Sequence, residues 1–393
     1  MKKTIYSLLL LLLPVSLTAQ PVAIDGLLNE IEQNSSTLSA LREQMEAQKL
    51  GNKTDIYLPG PEVEFAYLWG KPSVLGNETD ISVSQSFDFP SAYVYRSKIA
   101  GLENQHVELQ YKAERMDLLL HAQQLLIQLA YYNALAQEYD TRLDNAQRIA
   151  SSYDARYKQG DTNIIEKNKS QVNLTTVENE RNEIEIEQKA LRKQLQALNG
   201  GTPIEFNATA VMPTLLPASF DEWLTLAEAQ SPALQYLSKQ IDISKQQIKL
   251  NRSLNLPKFS AGYASEKIGG EHFQGVAVGM SIPLWENKNK VRQAKAQLRS
   301  AEAMLHDGKI QFYNHLQHLY LKTQGLQQNA DKYRQTLQSH NNESLLKKSL
   351  DMGEISLLTY LLEAEYYYDT VNRALEAERD YLLTMAELSA VML

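Results

Sequence analysis

Apolar and polar residues alternate strictly in two places along the chain, and each place holds a pair of strand-like runs. In Glu62 to Trp69 one face carries Val63, Phe65, Tyr67 and Trp69, while Glu62 and Glu64 face the other way. Ile81, Val83, Phe87 and Phe89 alternate with Ser82, Ser84, Ser86 and Asp88. A period of two marks a strand with one apolar and one polar face. The second pair is Phe259 to Ser265, followed by Val276, Val278, Met280, Ile282 and Leu284 alternating with mostly small residues. Gly- and polar-rich turns, Gly70 to Asp80 and Glu266 to Gly275, separate the members of each pair. The pattern predicts two hairpins and four strands per chain.

The rest of the chain repeats at a period nearer 3.5 than 3.6. From Leu118 through Ala122, Leu125, Leu129, Tyr132, Ala136, Tyr139, Leu143, Ala146, Ala150, Tyr153 and Tyr157 the steps alternate between four and three. Near the end, Leu361, Tyr368, Leu375 and Leu382 recur every seventh residue, with Ser389 closing the series. Ala364, Val371 and Met385 fill the alternate seam, where Glu378 is the exception. Such patterning predicts coiled-coil packing, and a helix over 92–157 is roughly 100 Å long at the α-helical rise. No compact domain of this size needs such a rod.

The two hairpins belong to an internal repeat. Pro61, Ser86 and Gly160 find counterparts at Pro257, Ser281 and Gly353, in the same order and about 195 residues on. Each half is expected to run helix, strand, strand, long helix, turn, helix. The expected organisation is a secretory signal over 1–19, a first repeat over 20–199, a linker over 200–217 and a second repeat over 218–393. The signal rests on Lys2 and Lys3, the apolar stretch Ile5 to Leu17, and Leu17-Thr18-Ala19 as a small-residue cleavage site. Gln20 follows it, so no lipidated cysteine is expected there. In the linker, Gly200-Gly201-Thr202-Pro203 leads through Pro213 to Pro217, with a short strand over Ile204 to Phe206. Pro90 and Pro283 are placed where strand gives way to helix, a position that tolerates a missing amide hydrogen.

Composition narrows what such elements are for. The sequence has no cysteine, so neither disulfides nor thiolate chemistry contribute. The formal charge is −8, and −10 without Lys2 and Lys3, which argues against nucleic-acid binding. Beyond the leader no apolar run approaches the roughly 20 residues of a spanning helix. Entry into a membrane therefore requires a closed β-barrel, because open strand edges in hydrocarbon leave backbone groups unpaired. Four strands cannot close one. Bacterial barrels hold even numbers of strands from about eight upward, so two, three or four copies satisfy the arithmetic.

The strand-to-helix passages Ser84-Gln85-Ser86-Phe87-Asp88-Phe89-Pro90 and Gly279-Met280-Ser281-Ile282-Pro283-Leu284-Trp285 resemble those of the TolC-like outer-membrane efflux proteins. So do the turns Lys158-Gln159-Gly160-Asp161 and Met352-Gly353-Glu354-Ile355-Ser356, the latter running into Leu361-Leu362-Glu363-Ala364. The similarity covers essentially the whole chain beyond the leader. It implies a mainly α fold with a small β part: long coiled-coil helices forming an α-barrel, and four strands per chain contributing to a 12-stranded barrel in a homotrimer. It further implies residence in the outer membrane, extension into the periplasm, and contact with outer-membrane lipid. The implied partners are a periplasmic adaptor and an inner-membrane pump of the RND type, with passive conduction of metal ions or drugs. The heavy-metal cation branch is the one the chain leans towards. In this family an acidic ring near the periplasmic constriction influences cation passage, and carboxylates in a narrow pore favour cations. The corresponding gate candidates are Asp161, Glu166, Glu354, Thr359 and Glu363. Thr359 stands where relatives often carry an acid. The simpler alternative is that Asp161 and Glu354 only favour the next helix's N-terminus. Gly160 and Gly353 are the helix-turn glycines, suited to a left-handed C-cap.

Other candidate residues have simpler readings. Phe65, Tyr67, Trp69 and Trp285 are candidates for an aromatic belt at a membrane boundary, against burial in a soluble sheet. Trp223 is expected to pack. His315 and His318 lie three apart, a metal-ligand spacing that no cysteine or acidic cluster completes, and His121, His306 and His340 stand alone. The tyrosines Tyr132, Tyr139, Tyr153 and Tyr157 read as interhelical packing. No phosphate loop, zinc motif or nucleophile elbow is present, so no enzyme activity, cofactor or metal is expected. The competing class is a periplasmic coiled-coil scaffold or adaptor without a pore, which gives no reason for two alternating hairpins in equivalent halves.

Overall fold

The computed structural model describes residues 22–72, 76–340 and 342–393, and the expected signal segment lies outside them. In chain order come α1 (Asp25–Asn34), α2 (Ser36–Gly51), β1 (Glu62–Trp69), β2 (Asn77–Phe87), α3 (Pro90–Gln159) and α4 (Ile164–Leu198). They are followed by α5 (Phe220–Gln230), α6 (Pro232–Ser253), β3 (Lys258–Ile268), β4 (Glu271–Ser281), α7 (Lys290–Ser339), α8 (Glu343–Asp351) and α9 (Leu357–Ser389). The fold is mainly helical with one small sheet. Helix starts follow local chemistry. Ser35, Ser219 and Ser231 each accept from a backbone N–H three residues on, and Pro90 and Pro232 occupy first helical positions. Among the described residues no helix is long and apolar enough to cross a membrane.

The chain divides into two compact units, each assembled from segments far apart in sequence. One comprises 22–34, 122–215 and 324–384. Its core is heptad packing: Tyr131, Leu135, Ala136, Tyr139 and Ile184 form one cluster, and Ile149, Tyr153, Leu357, Tyr360 and Ala364 another. Full burial of a leucine such as Leu357 stabilises by about 1.5–3 kcal/mol. Of the expected seam, Tyr153 and Tyr139 are buried and Tyr132 partly so, while Tyr157 stays exposed.

The linker belongs to this unit and is held by side chains. Asn199, fully buried, donates to Glu30 Oε1 at 3.0 Å and to the Thr202 carbonyl at 3.1 Å, and accepts from Asn34 Nδ2 at 3.0 Å. Ile204 and Phe206 are buried but form no strand; the one isolated bridge in the described residues pairs Val22 with Val211 instead. Packing of their side chains, and not a backbone ladder, fixes this segment.

The other unit comprises 35–121, 216–323 and 385–393, and contains the sheet. Ala92, Ile99, Ile243 and Leu250 form a core of α3 against α6. Three expectations change here. β2 begins at Asn77, four residues before Ile81, and β3 and β4 run to Ile268 and from Glu271, into what reads as a long turn. Only Gly269 and Gly270 connect them, both at positive φ (56° and 101°), the left-handed pair a tight hairpin requires. Pro283 does not start a helix, since α7 begins at Lys290.

Candidate functional site

The sheet has the order β1-β2-β3-β4, antiparallel throughout. Registers such as Phe65↔Ile81, Val83↔Tyr263 and Tyr263↔Val276 gather one apolar face. That face is uncovered. In the single chain Val63 is 72% exposed, Trp69 79%, Val276 87% and Val278 82%, far more than residues packed inside a sheet. Phe65, Tyr67 and Trp69 all lie on it; the Tyr67 and Trp69 rings meet edge-on at 5.7 Å, and Asn77 Nδ2 donates to the Tyr67 hydroxyl at 2.6 Å. Trp285 is also exposed, but it follows β4 in the connection to α7 and is not part of the strand face. Among the described residues, β1 and β4 have no strand on their outer edges.

The opposite face is small and acidic. Ser82↔Ala264, Ser84↔Gly262 and Ser260↔Gly279 pair across it. Gly262 and Gly279 are crowded: an added Cβ lies 2.5 Å from the Val83 carbonyl oxygen and 2.5 Å from Ser260 Oγ, respectively. Carboxylate oxygens of Glu78, Asp80 and Glu266 lie within 4.8 Å of one another there. Sequence reasoning missed this trio because Glu78 and Asp80 fell in an expected turn. The alternation from Ser82 continues back through them, and the register Asp80↔Glu266 adds the third.

The two helix-to-helix turns lie in the other unit and share one backbone design. Gly160 (φ 82°) follows α3 and Gly353 (φ 74°) follows α8. Asp161 N–H bonds the Arg156 carbonyl at 2.8 Å and Glu354 N–H the Ser349 carbonyl at 2.9 Å, each closing a Schellman turn with glycine at the left-handed position. The next helices are capped by other residues. Asn163 Oδ1 accepts from Glu166 N–H at 2.9 Å, and Ser356 Oγ from Thr359 N–H at 3.1 Å. The hydrogen-bond caps of these helices are thus the short amide of Asn163 and the hydroxyl of Ser356.

Asp161, Glu354 and Glu363 are exposed and make no ion pair among the described residues. Glu166 lies 3.4 Å from Lys169 Nζ, and the Thr359 hydroxyl lies 2.9 Å from Ser356 Oγ. The α3–α4 turn is braced by Asp154, whose carboxylate meets Lys158 Nζ at 2.7 Å and Lys167 Nζ at 2.8 Å. Hydrogen bonds from these two lysines hold its carboxyl down at about 2. His315 Nε2 approaches Glu387 at 3.9 Å, and the His315–His318 pair joins no cluster of three ligands among the described residues. Trp223 lies in the first turn of α5.

The sequence model of the outer membrane efflux protein family matches residues 223–392. The chain is 25% identical over 296 residues to the alkaline protease secretion protein AprF of Pseudomonas aeruginosa. That alignment covers 68% of this chain, and the chain spans 61% of AprF's length. In structure it is similar to the CmeC outer membrane channel of Campylobacter jejuni, with a TM-score of 0.74 and 16% identity, covering 94% of this chain and 85% of CmeC. It is similar as well to the outer membrane protein VceC of Vibrio cholerae, with a TM-score of 0.74 and 14% identity, covering 94% of this chain and 95% of VceC.

Proposed function

We propose that this chain belongs to the outer membrane efflux protein family and is one protomer of a homotrimeric outer-membrane channel that passively conducts substrates out of the periplasm. The observation that carries this reading is the sheet: four strands in order, an uncovered apolar face, and two open edges. Neither water nor hydrocarbon suits those edges, because a long open edge invites aggregation in water and leaves unpaired amides in lipid. Joining β4 of one copy to β1 of the next removes both edges, and three copies make twelve strands. The apolar face then meets lipid, with Phe65, Tyr67 and Trp69 as boundary aromatics on it and Trp285 as a candidate just beyond β4, and the small, acidic face lines water.

The protein supplies a path, and the energy comes from its partners: a periplasmic adaptor and an inner-membrane pump, for which we infer the RND type. Metal ions and drugs are the substrate classes we favour. Asp161, Glu354 and Glu363, exposed and without an ion pair among the described residues, are the acidic gate candidates we favour at the periplasmic turns. Glu166 and Thr359 are already engaged locally. The test is reconstitution of the purified chain into planar bilayers. Discrete conductance steps from a heat-modifiable trimer are expected; a monomer that leaves the bilayer silent would refute the channel.

A further inference from the structure

In the unit that holds the helix turns, a cavity of about 860 Å³ opens between α4 and α9 over α3. Arg142 of α3 lines it and is 96% buried, being only 4% exposed. Its guanidinium carbon lies 4.4 Å from the ring centroids of both Tyr139 and Tyr368. Nη2 donates to Asn372 Oδ1 at 2.9 Å and to the Tyr368 carbonyl at 3.4 Å, while Nε has no partner. These contacts are all with neutral groups, and although the Glu138 and Glu180 carboxylates feel its charge, neither forms an ion pair with it among the described residues. Other arginines of the same unit are treated differently: Arg181 meets Asp140 at 2.6 Å, and Arg334 meets Asp331 at 2.9 Å. A guanidinium cannot shed its charge, and burying it without a counter-anion is costly.

Three carboxylates line the same cavity without pairing to Arg142. Asp369 is engaged by Arg373 at 2.8 Å, and Glu365 is exposed. Burial pushes the Glu180 carboxyl up while the Arg142 charge and a hydrogen bond from Tyr139 pull it down, and it forms no ion pair with Arg142 among the described residues. Lys169, within 3.4 Å of Glu166, also lines the cavity. Beside these polar groups the wall turns apolar, with Val172, Leu358 and Leu362 left 66%, 47% and 49% exposed. One buried cation with a vacant donor beside an open apolar wall matches a molecule with a small anionic head and a short hydrocarbon tail.

We propose that this cavity binds an amphiphilic monocarboxylate, its head accepting from Arg142 Nε and its tail lying along Val172, Leu358 and Leu362. The inference goes beyond conduction and needs no pore to test. The probes are octanoate and octylammonium, titrated calorimetrically into the full-length protein in nanodiscs, with empty discs as the blank. Octanoate is expected to bind saturably and octylammonium not. Losing one charge-assisted hydrogen bond corresponds to roughly tenfold to a hundredfold in affinity, which is the weakening expected for Arg142→Met. Val172→Trp blocks the cavity from a largely exposed position that tolerates substitution, so it tests the site even where Arg142→Met fails to fold; it too should lose binding. Absence of saturable octanoate binding overturns the proposal. Equal binding of octylammonium does so as well, as does wild-type affinity in a folded Arg142→Met or Val172→Trp protein.

Discussion

Replacing Gly200 with alanine should destabilise the protein far more than the same change at Gly353, although both glycines adopt a left-handed backbone. At Gly353 (φ 74°) an added Cβ meets nothing within 4 Å, so the cost is only that of placing an L-residue in the left-handed region, about 1–2 kcal/mol. At Gly200 (φ 63°) the same Cβ lands 2.3 Å from the Asn34 carbonyl oxygen and 3.3 Å from its carbon. Those are backbone atoms, which no rotamer change can move away. Relief requires shifting the end of α1, and that end carries the Asn34 amide bonded to buried Asn199. Freeing Asn199 exposes it to the cost of an unmet buried polar group, about 1–3 kcal/mol. Gly200→Ala should therefore cost about 3 kcal/mol or more in all, against about 1–2 for Gly353→Ala. Both residues lie in the same compact unit, so urea unfolding followed by helical circular dichroism compares them directly. Gly353→Asn should recover part of the loss, because asparagine visits the left-handed region readily. Equal midpoints for the two alanine variants would show that the close approach to Asn34 has no energetic consequence.

Acid should loosen the α3–α4 turn within a defined window. The Asp154 carboxyl is held down, so its contribution is complete above the ordinary carboxylate range near 3.9 and is lost as pH falls towards about 2. Hydrogen exchange over 154–167 should rise across that interval in the native protein and show no such rise in Asp154→Asn. On the sheet, Val278→Arg puts a cation on the uncovered apolar face and should cost about 2–4 kcal/mol of insertion free energy if the site lies at mid-bilayer depth. Arginine at Ala264, on the opposite face, should insert as well as the native chain; equal penalties at both positions would contradict the assignment of faces.

How much of this was legible in advance depended on how purely each segment followed one period. β1 is bounded at Glu62 and Trp69 as its alternation requires. β2 begins early because Asn77-Glu78-Thr79-Asp80 is polar on both faces, which in sequence is indistinguishable from a loop. Glu266, Lys267, Glu271, His272 and Gln274 disguised the β3–β4 hairpin in the same way: a strand whose inner face meets water lacks the apolar contrast on which the reading depends. Heptad spacing found the seam residues Ala146, Tyr153 and Ala364. It passed over Arg142, since a charged residue between seam positions is ordinarily solvated. Nothing in the linear order foretold two compact units each drawing on both halves of the chain, because contacts between distant helices leave no local periodic trace.

If the proposed channel carries this hairpin end outward, the connection of β3 to β4 through nothing but Gly269 and Gly270 has a consequence at the cell surface. Two residues without side chains offer no shape and no charge for an antibody, a phage fibre or a protease to grip. In the proposed channel, a rim built this way would present at this turn only the charged strand ends Lys267 and Glu271 and no loop of its own.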